Sequence, residues 1–269
     1  MIDRQIKDTA IKAIRYITGI GIIFLLWHIA ATLANHGRGV YFPTPLSTLS
    51  GLIDLLKGEQ IYGAGIVDHT AVSLLRWFKG FALASLIGVV LGIAMGYYQF
   101  LFDLFIPVVT FLQIIPGLAW VPVALLLFGL GEGATFFMIF ITSLPPVIVN
   151  TAGGIRETPP VYMRASRMMG LKGPRTFFRI LIPASSLSII NGLRIALASG
   201  WRVLIAAEMV VGSAQGLGFV IIQSRWSLDF VSAFSVIIII AAIGLFIEKV
   251  LFQIIEDNLR HKMGFERIL

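Results

Sequence analysis

"RASRMMGLKGPRTFFRILIP", Arg164 to Pro183, decides how the rest of the chain is read. It carries five positive charges and no acid, and Gly170, Gly173, Pro174 and Pro183 punctuate it. Long apolar runs lie on both sides. Such a segment is either a plain loop between membrane spans or a shaped element with a partner. Pro159 and Pro160 end the preceding run, and Val161 to Met169 can form a short helix. Gly170 suits the C′ position behind that helix. Lys172-Gly173-Pro174 makes a turn, and Pro174 suits the first turn of a second short helix. Pro183 is expected to break that second helix near Ile182. The charges fit a plain loop equally well, but the placement of Gly and Pro favours the shaped element.

The surroundings set the solvent. Of 269 residues, 57% are hydrophobic and 13% are charged, with a mean hydropathy of +0.90. A soluble domain carries about 25% charged residues, so most of this chain meets lipid. The net charge of +7 then reads as headgroup attraction and topology control rather than nucleic-acid binding. The absence of cysteine excludes disulfides and thiolate metal sites. His28, His36, His69 and His261 show no metal-ligand spacing.

A spanning helix needs about 20 mostly apolar residues. The expected architecture is all-α, with six transmembrane helices at about 17–34, 78–98, 104–130, 134–153, 185–211 and 231–250. An N-terminal segment (1–16) precedes them, a loop (155–183) joins the fourth and fifth, and a tail (256–269) follows. The first run is longer than the 7–15 residues of a signal-peptide core, so a retained helix is expected. Six spans put both termini on one side. If that side is the cytoplasm, 14 Lys and Arg lie inside and five outside, with Arg194 and Arg202 left in the fifth span. That bias sets N and C termini, and the 155–183 loop, in the cytoplasm. The outer loop opens "YFPTPLSTLSGLIDLL", Tyr41 to Leu56. Ser47 is expected to cap a short helix there. Its apolar face (Leu49, Leu52, Ile53, Leu56) would lie on the membrane surface, or the segment is a partly buried loop.

The chain has no GxxxxGK[ST], HExxH or GxSxG pattern, so it is expected to hold no cofactor and to be no enzyme. Energy for any transport must come from a partner or an ion gradient. Charges inside a membrane are costly and tend to be functional. Glu208 and Arg202 are therefore candidate path residues, with Trp201, Gln113 and Trp120 beside them. Arg202 and Glu208 stand about 240° apart on a helix, so each needs a partner on another helix or a second protomer. An interhelical Arg–Glu pair that only holds the bundle is the competing reading. Pro107, Pro116 and Pro122 interrupt the long third run, either freeing carbonyls to line a cavity or merely kinking a packing helix. "GVVLG" and "GIAMG", Gly88 to Gly96, favour close helix packing.

At this point the chain resembles a family. The inner-membrane permeases of bacterial ABC importers carry a loop with Glu-Ala-Ala, three residues, Gly, nine residues, then Ile-x-Leu-Pro. Here Arg164-Ala165-Ser166, three residues, Gly170, nine residues and Ile180-Leu181-Ile182-Pro183 keep that spacing. Ala165, Gly170, Ile180 and Pro183 match in identity, Ser166 and Ile182 depart conservatively, and Arg164 replaces an acid. "IIPGLAWVPVALLLFGLGEG" (Ile114 to Gly133) and "GLRIALASGWRVLIAAEMVVGSAQGLGFVI" (Gly192 to Ile221) resemble the third and fifth spans of the branch that imports nitrate, sulfonates, taurine and bicarbonate. The similarity runs from about residue 20 to 255. It implies a type I importer permease of the bacterial cytoplasmic membrane, acting as a homodimer. Two ATPase subunits holding ATP and Mg would dock on the loop as a coupling helix, through Arg164, Ala165, Ser166, Gly170, Ile180 and Pro183. An extracytoplasmic binding protein would deliver a small anion, or a vitamin precursor as some relatives carry. A gradient-driven transporter with Glu208 as proton carrier, and a scaffold without transport, are the rival classes.

Overall fold

A computed structural model describes residues 2–37, 41–171 and 173–251. Lys172, His261 and the expected tail at 256–269 lie outside the described residues. In chain order the elements are α1 (Ile2–Gly37), α2 (Pro45–Leu56), a hairpin of β1 (Gln60–Ile61) and β2 (Ala64–Gly65), α3 (Ile66–Tyr97), α4 (Gln99–Ile114), a 3-10 turn (Gly117–Trp120), α5 (Val121–Phe128) and α6 (Glu132–Arg156). Then come α7 (Pro160–Met168), α8 (Pro174–Thr176), a π turn (Phe177–Leu181), α9 (Ile182–Val210), α10 (Leu217–Trp226), α11 (Phe230–Phe246) and a second π turn (Ile247–Leu251). Among the described residues, five helices are long and apolar enough to cross a membrane, and α4 with the 3-10 turn and α5 makes a sixth candidate bent by 101°. The two-residue strands are the one departure from an all-α chain among the described residues. The fold divides into two compact units: residues up to Ile66 with Val220–Ile238, and Val67–Phe219 with Ile239 onward.

The larger unit is built on α6. Gly80, Gly88, Gly92 and Gly96 of α3 face Ile139, Val147, Thr151 and Ile155 of α6 in constant register. A Cβ at Gly88 would sit 2.8 Å from Val147, so the small residues let two backbones close up. Residue numbers rise together along this seam, which makes α3 and α6 parallel. On its other side α6 meets α9, where Gly154 faces Ser188, Gly192 faces Asn150 and Gly200 faces Ser143. There the numbers run oppositely, so α9 is antiparallel to α6. The Ser143 hydroxyl donates to the Ala196 carbonyl at 3.1 Å, and Asn191 donates to Asn150 at 3.0 Å.

Parallel α3 and α6 require the chain between them to travel back the full length of the bundle. The bent α4–α5 pair makes that return, with both helices packed along α6. Pro116 is the single proline that interrupts it. Ile115, held by the following proline, adopts ψ 122 and ends α4, because the α region is blocked before proline. Pro107 sits inside α4 and Pro122 in the first turn of α5.

Pro183 does not break its helix. Pro174 to Val210 is one continuous 37-residue helix, so the fifth span and the second half of the loop are a single element. Proline lacks an N–H and its ring crowds the preceding turn. The π turn at Phe177–Leu181 widens the ladder to i→i+5 just before Pro183 and gives the ring room.

In the smaller unit, Thr44 rather than Ser47 caps α2. The Ser47 amide donates to Thr44 Oγ1 at 3.2 Å, placing Ser47 three residues inside the helix with Pro45 at its start. The Ser235 hydroxyl of α11 donates to the Thr48 carbonyl at 2.9 Å, and Gly51 lies against Val231. Trp27 of α1 donates to the Pro43 carbonyl at 3.0 Å. The hairpin turns at Tyr62 and Gly63, φ 50 and 91, as a two-residue turn of this hand requires.

Candidate functional site

The 155–183 segment is a shaped element. α7 ends at Met168, and Gly170 follows with φ 71. The Gly170 amide donates to the Arg167 carbonyl at 3.0 Å, and the Leu171 amide donates to the Ser166 carbonyl at 2.9 Å. This pair of bonds is a Schellman motif, with Gly170 as its left-handed residue. Ser166 is buried, and its hydroxyl donates back to the Met163 carbonyl at 2.9 Å, so a serine stands where alanine would fit without leaving a polar group unpaired. Arg164, Ala165 and Pro183 are exposed, and Ile180 is half-buried. Met163, Ser166, Leu171, Thr176 and Leu181 line a cleft of about 260 Å³ beneath the loop.

The outer surface of this element is more than basic. Met168 is 89% exposed, and Met169 and Phe178 are exposed beside Arg164, Arg167, Arg175 and Arg179. The signal was present in sequence as large apolar residues on a helix too short and polar to need them for its own packing. Arg156, at the end of α6, lies over the Phe102 ring at 4.0 Å and bonds Gln99, fixing the loop's entry.

Of the five candidate path residues, Trp201 and Arg202 share one cleft, and Glu208, Trp120 and Gln113 are not among its lining residues. Glu208 is fully buried on α9 and is the centre of a polar network. Its carboxylate accepts from the Ser73 hydroxyl at 2.9 Å, from Arg76 at 3.0 Å and from the Gly218 amide at 2.9 Å. The Gly216 amide donates to His69 Nδ1 at 3.1 Å, and the Leu217 amide donates to the Ser73 hydroxyl at 2.8 Å. Three successive amides at the start of α10 are thus capped by α3 and α9, and an anion at a helix N-terminus is favoured by the dipole. A Cβ at Gly216, φ 136, would run into the carboxylate.

Arg76 is the partner that Glu208 required. It also bonds Glu132 at 3.1 Å. The second apolar run was expected to begin at about residue 78, which leaves Arg76 before it. The helix begins twelve residues earlier, at Ile66. Hydropathy marks where a helix becomes compatible with lipid, not where it starts.

Arg202 is exposed on α9. With Trp201, Gly244 and Glu248 it borders a cleft of about 100 Å³, and it has no ion-pair partner among the described residues. Arg194 pairs with Glu248 at 3.6 Å. Trp201 donates to the Ile240 carbonyl at 3.3 Å and meets Trp77 edge-on at 5.7 Å. Trp120 packs against the core formed by Ala124, Met138, Val203 and Ala207. Gln113 is exposed near the end of α4.

Apolar helices of this length, a paired α3/α6 seam and a shaped loop running into α9 define an α-helical membrane protein. Residues 80–261 match the family described as binding-protein-dependent transport system inner membrane component. The chain belongs to that family, the permease subunits of ABC importers. It is 32% identical over 244 residues to the nitrate import permease protein NrtB of Synechocystis sp., covering 88% of this chain and 86% of that protein. It is 36% identical over 188 residues to the bicarbonate transport system permease protein CmpB of Synechococcus elongatus, covering 69% and 66%. Its fold matches a chain of the inward-facing MetNI methionine ABC transporter with TM-score 0.53 at 19% identity, covering 84% of this chain and 100% of that one. The fold is therefore that of a type I ABC importer permease in the inner membrane.

Proposed function

We propose that the chain is the path-forming subunit of an ATP-driven importer for a small anion, working as a homodimer with two ATPase subunits and an extracytoplasmic binding protein. ATP and Mg would sit on the ATPases. Both termini and the 155–183 loop face the cytoplasm, supported by the bias of 14 positive residues to five.

The observation that carries this reading is the loop. α7 is closed by the Gly170 motif, exposes Met168 among arginines, and turns at Gly173 into a helix that runs unbroken to Val210. An exposed methionine among charged residues suits an apolar pocket ringed by acids on a partner. The arginine at position 164, where the family pattern has glutamate, would contribute to that ring of charge. Arg202 supplies the attracting charge for cargo from the wall of the α9–α11 cleft. The names of the nitrate and bicarbonate relatives support an anion of that size.

Glu208 has a structural role: its carboxylate accepts from Ser73, Arg76 and the Gly218 amide, tying α3 and α9 to the Gly216–Gly218 turn.

The test is purification of the tagged chain in mild detergent from its native host. An ATPase subunit retained with it, and nitrate- or bicarbonate-stimulated ATP hydrolysis once the binding protein is added, are the expected results. A chain that purifies intact without any ATPase would overturn the reading. Stimulation by a neutral vitamin precursor alone would change the cargo class and leave the coupling intact.

A further inference from the structure

The surface of α2 is divided into three sectors, and each calls for a different solvent. Thr48, Gly51 and Leu55 face the protein: Thr48 and Leu55 are buried, and Gly51 lies against Val231 of α11. At about 100° per residue, Leu56, Leu49, Ile53 and Leu46 fall together on the next sector. They are 61, 50, 44 and 75% exposed. Lys57, Ser50 and Asp54 follow on the third sector, also exposed. A helix packed at a protein–water boundary needs two sectors, an apolar one inward and a polar one outward. The apolar exposed sector of α2 is surplus to that need.

We propose that α2 is an interfacial helix, with Leu46, Leu49, Ile53 and Leu56 sunk into the outer leaflet of the bilayer and Ser50, Asp54 and Lys57 in water. Continuity with the lipid-facing surface identifies the occupant. Within the same compact unit, α1 exposes Ile22, Ile23, Phe24, Leu25, Leu26 and Leu33, as a spanning helix must. α2 joins that surface directly through the Trp27–Pro43 bond and the Phe42–Phe234 ring contact at 5.4 Å. Gly51 and Thr48 meet α11 at Val231 and Ser235, within its first two turns, which is the end of a span. Trp226 and Tyr41 are exposed in the same unit, and aromatic side chains of this kind concentrate at headgroup level. A helix with such a moment lies in the interface plane with its apolar side roughly 5–10 Å deep. Its effect is to hold the outer loop at fixed depth, so that the Ser50–Asp54–Lys57 sector meets the aqueous side at a constant height. The assignment to the outer leaflet rests on the orientation proposed above.

The chain contains no cysteine, so single thiols report cleanly. The variants Leu49→Cys, Ile53→Cys, Ser50→Cys and Asp54→Cys are nitroxide-labelled in the full assembly and reconstituted into phosphatidylethanolamine–phosphatidylglycerol vesicles. Collision rates are measured with oxygen, which partitions into lipid, and with a water-soluble nickel chelate. Oxygen should dominate by several-fold at positions 49 and 53, and the chelate at 50 and 54. Chelate access to 49 and 53 equal to that at 50 and 54 would overturn the proposal, since the stripe would then face water. Shielding of 49 and 53 from both reagents would also overturn it, assigning the stripe to a second copy or the binding protein. An impermeant thiol reagent on Asp54→Cys in intact cells tests the orientation separately. If it labels only from the cytoplasmic side, the orientation fails while the lipid contact stands.

Discussion

The carboxylate of Glu208 and the guanidinium of Arg76 meet at 3.0 Å where Glu208 is buried. Removing one partner of a buried pair costs about 3–5 kcal/mol, softened on the Arg76 side by its second pairing with Glu132. Glu208→Ala is therefore expected to lower the thermal unfolding midpoint in detergent sharply, because Arg76, Ser73 and the Gly218 amide all lose an acceptor. Glu208→Gln keeps an oxygen for Ser73 and Gly218 and should lose less. The Arg76→Ala and Glu208→Ala double variant should be destabilised by less than the sum of the singles, the signature of groups in one network. Additive losses would show that the two residues act apart. Glu208 was recognisable in sequence as a costly acid within a span. Its partner was not, because pairing across 132 residues of chain depends on which turns of α3 and α9 face each other, and periodicity within one helix carries no such information.

At the level of the helix, two glycines inside long helices have opposite environments. A Cβ at Gly92 would lie 2.6 Å from Thr151, whereas nothing lies within 4 Å of one at Gly153. Gly92→Leu should separate α3 from α6 and cost more than the roughly 1–3 kcal/mol of ordinary overpacking, while Gly153→Ala should be neutral or slightly stabilising. Thermal stability by size-exclusion chromatography distinguishes them. Gly170→Val makes a different prediction. Its left-handed φ of 71 excludes a β-branched residue without strain, and no neighbour is displaced. Membrane insertion and ATPase retention should survive, and ATP hydrolysis should proceed without matching uptake. Coupled uptake at the normal ratio would count against the loop's role. The Gly170 turn was legible because one residue type answers one backbone need. Pro183 misled for the converse reason: a proline forbids an ordinary α turn, yet a π turn two residues upstream removes the conflict, and no residue in "FFRIL" announces it.

For the whole molecule, the parallel α3/α6 seam fixes the course of the chain between them, within a set of five apolar spans, or six with the bent pair, among the described residues. The bent α4–α5 pair must carry the chain back across the bundle, so the outer and inner ends of α6 follow from those of α3. The long third run was legible as one apolar stretch. Its 101° bend follows from Pro116 and from the approach of Gly117 to Val203, a contact between distant segments. If Arg202 attracts cargo in the assembled importer, Arg202→Ala should raise the substrate concentration for half-maximal uptake at unchanged protein abundance. Reduced abundance with unchanged half-saturation would assign Arg202 to folding instead.

The unbroken helix from Pro174 to Val210 has a mechanical meaning of its own. At about 1.5 Å per residue its 37 residues form an arm roughly 55 Å long. Tilting such an arm by about 5° about one end moves the other by roughly 5 Å, the length of one helical turn. A proline break at residue 183 would have absorbed that rotation in a hinge. With the break absent, a tilt imposed at the Arg175 end would be carried along the arm to Glu208, where the polar network with Ser73, Arg76 and Gly218 would resist it.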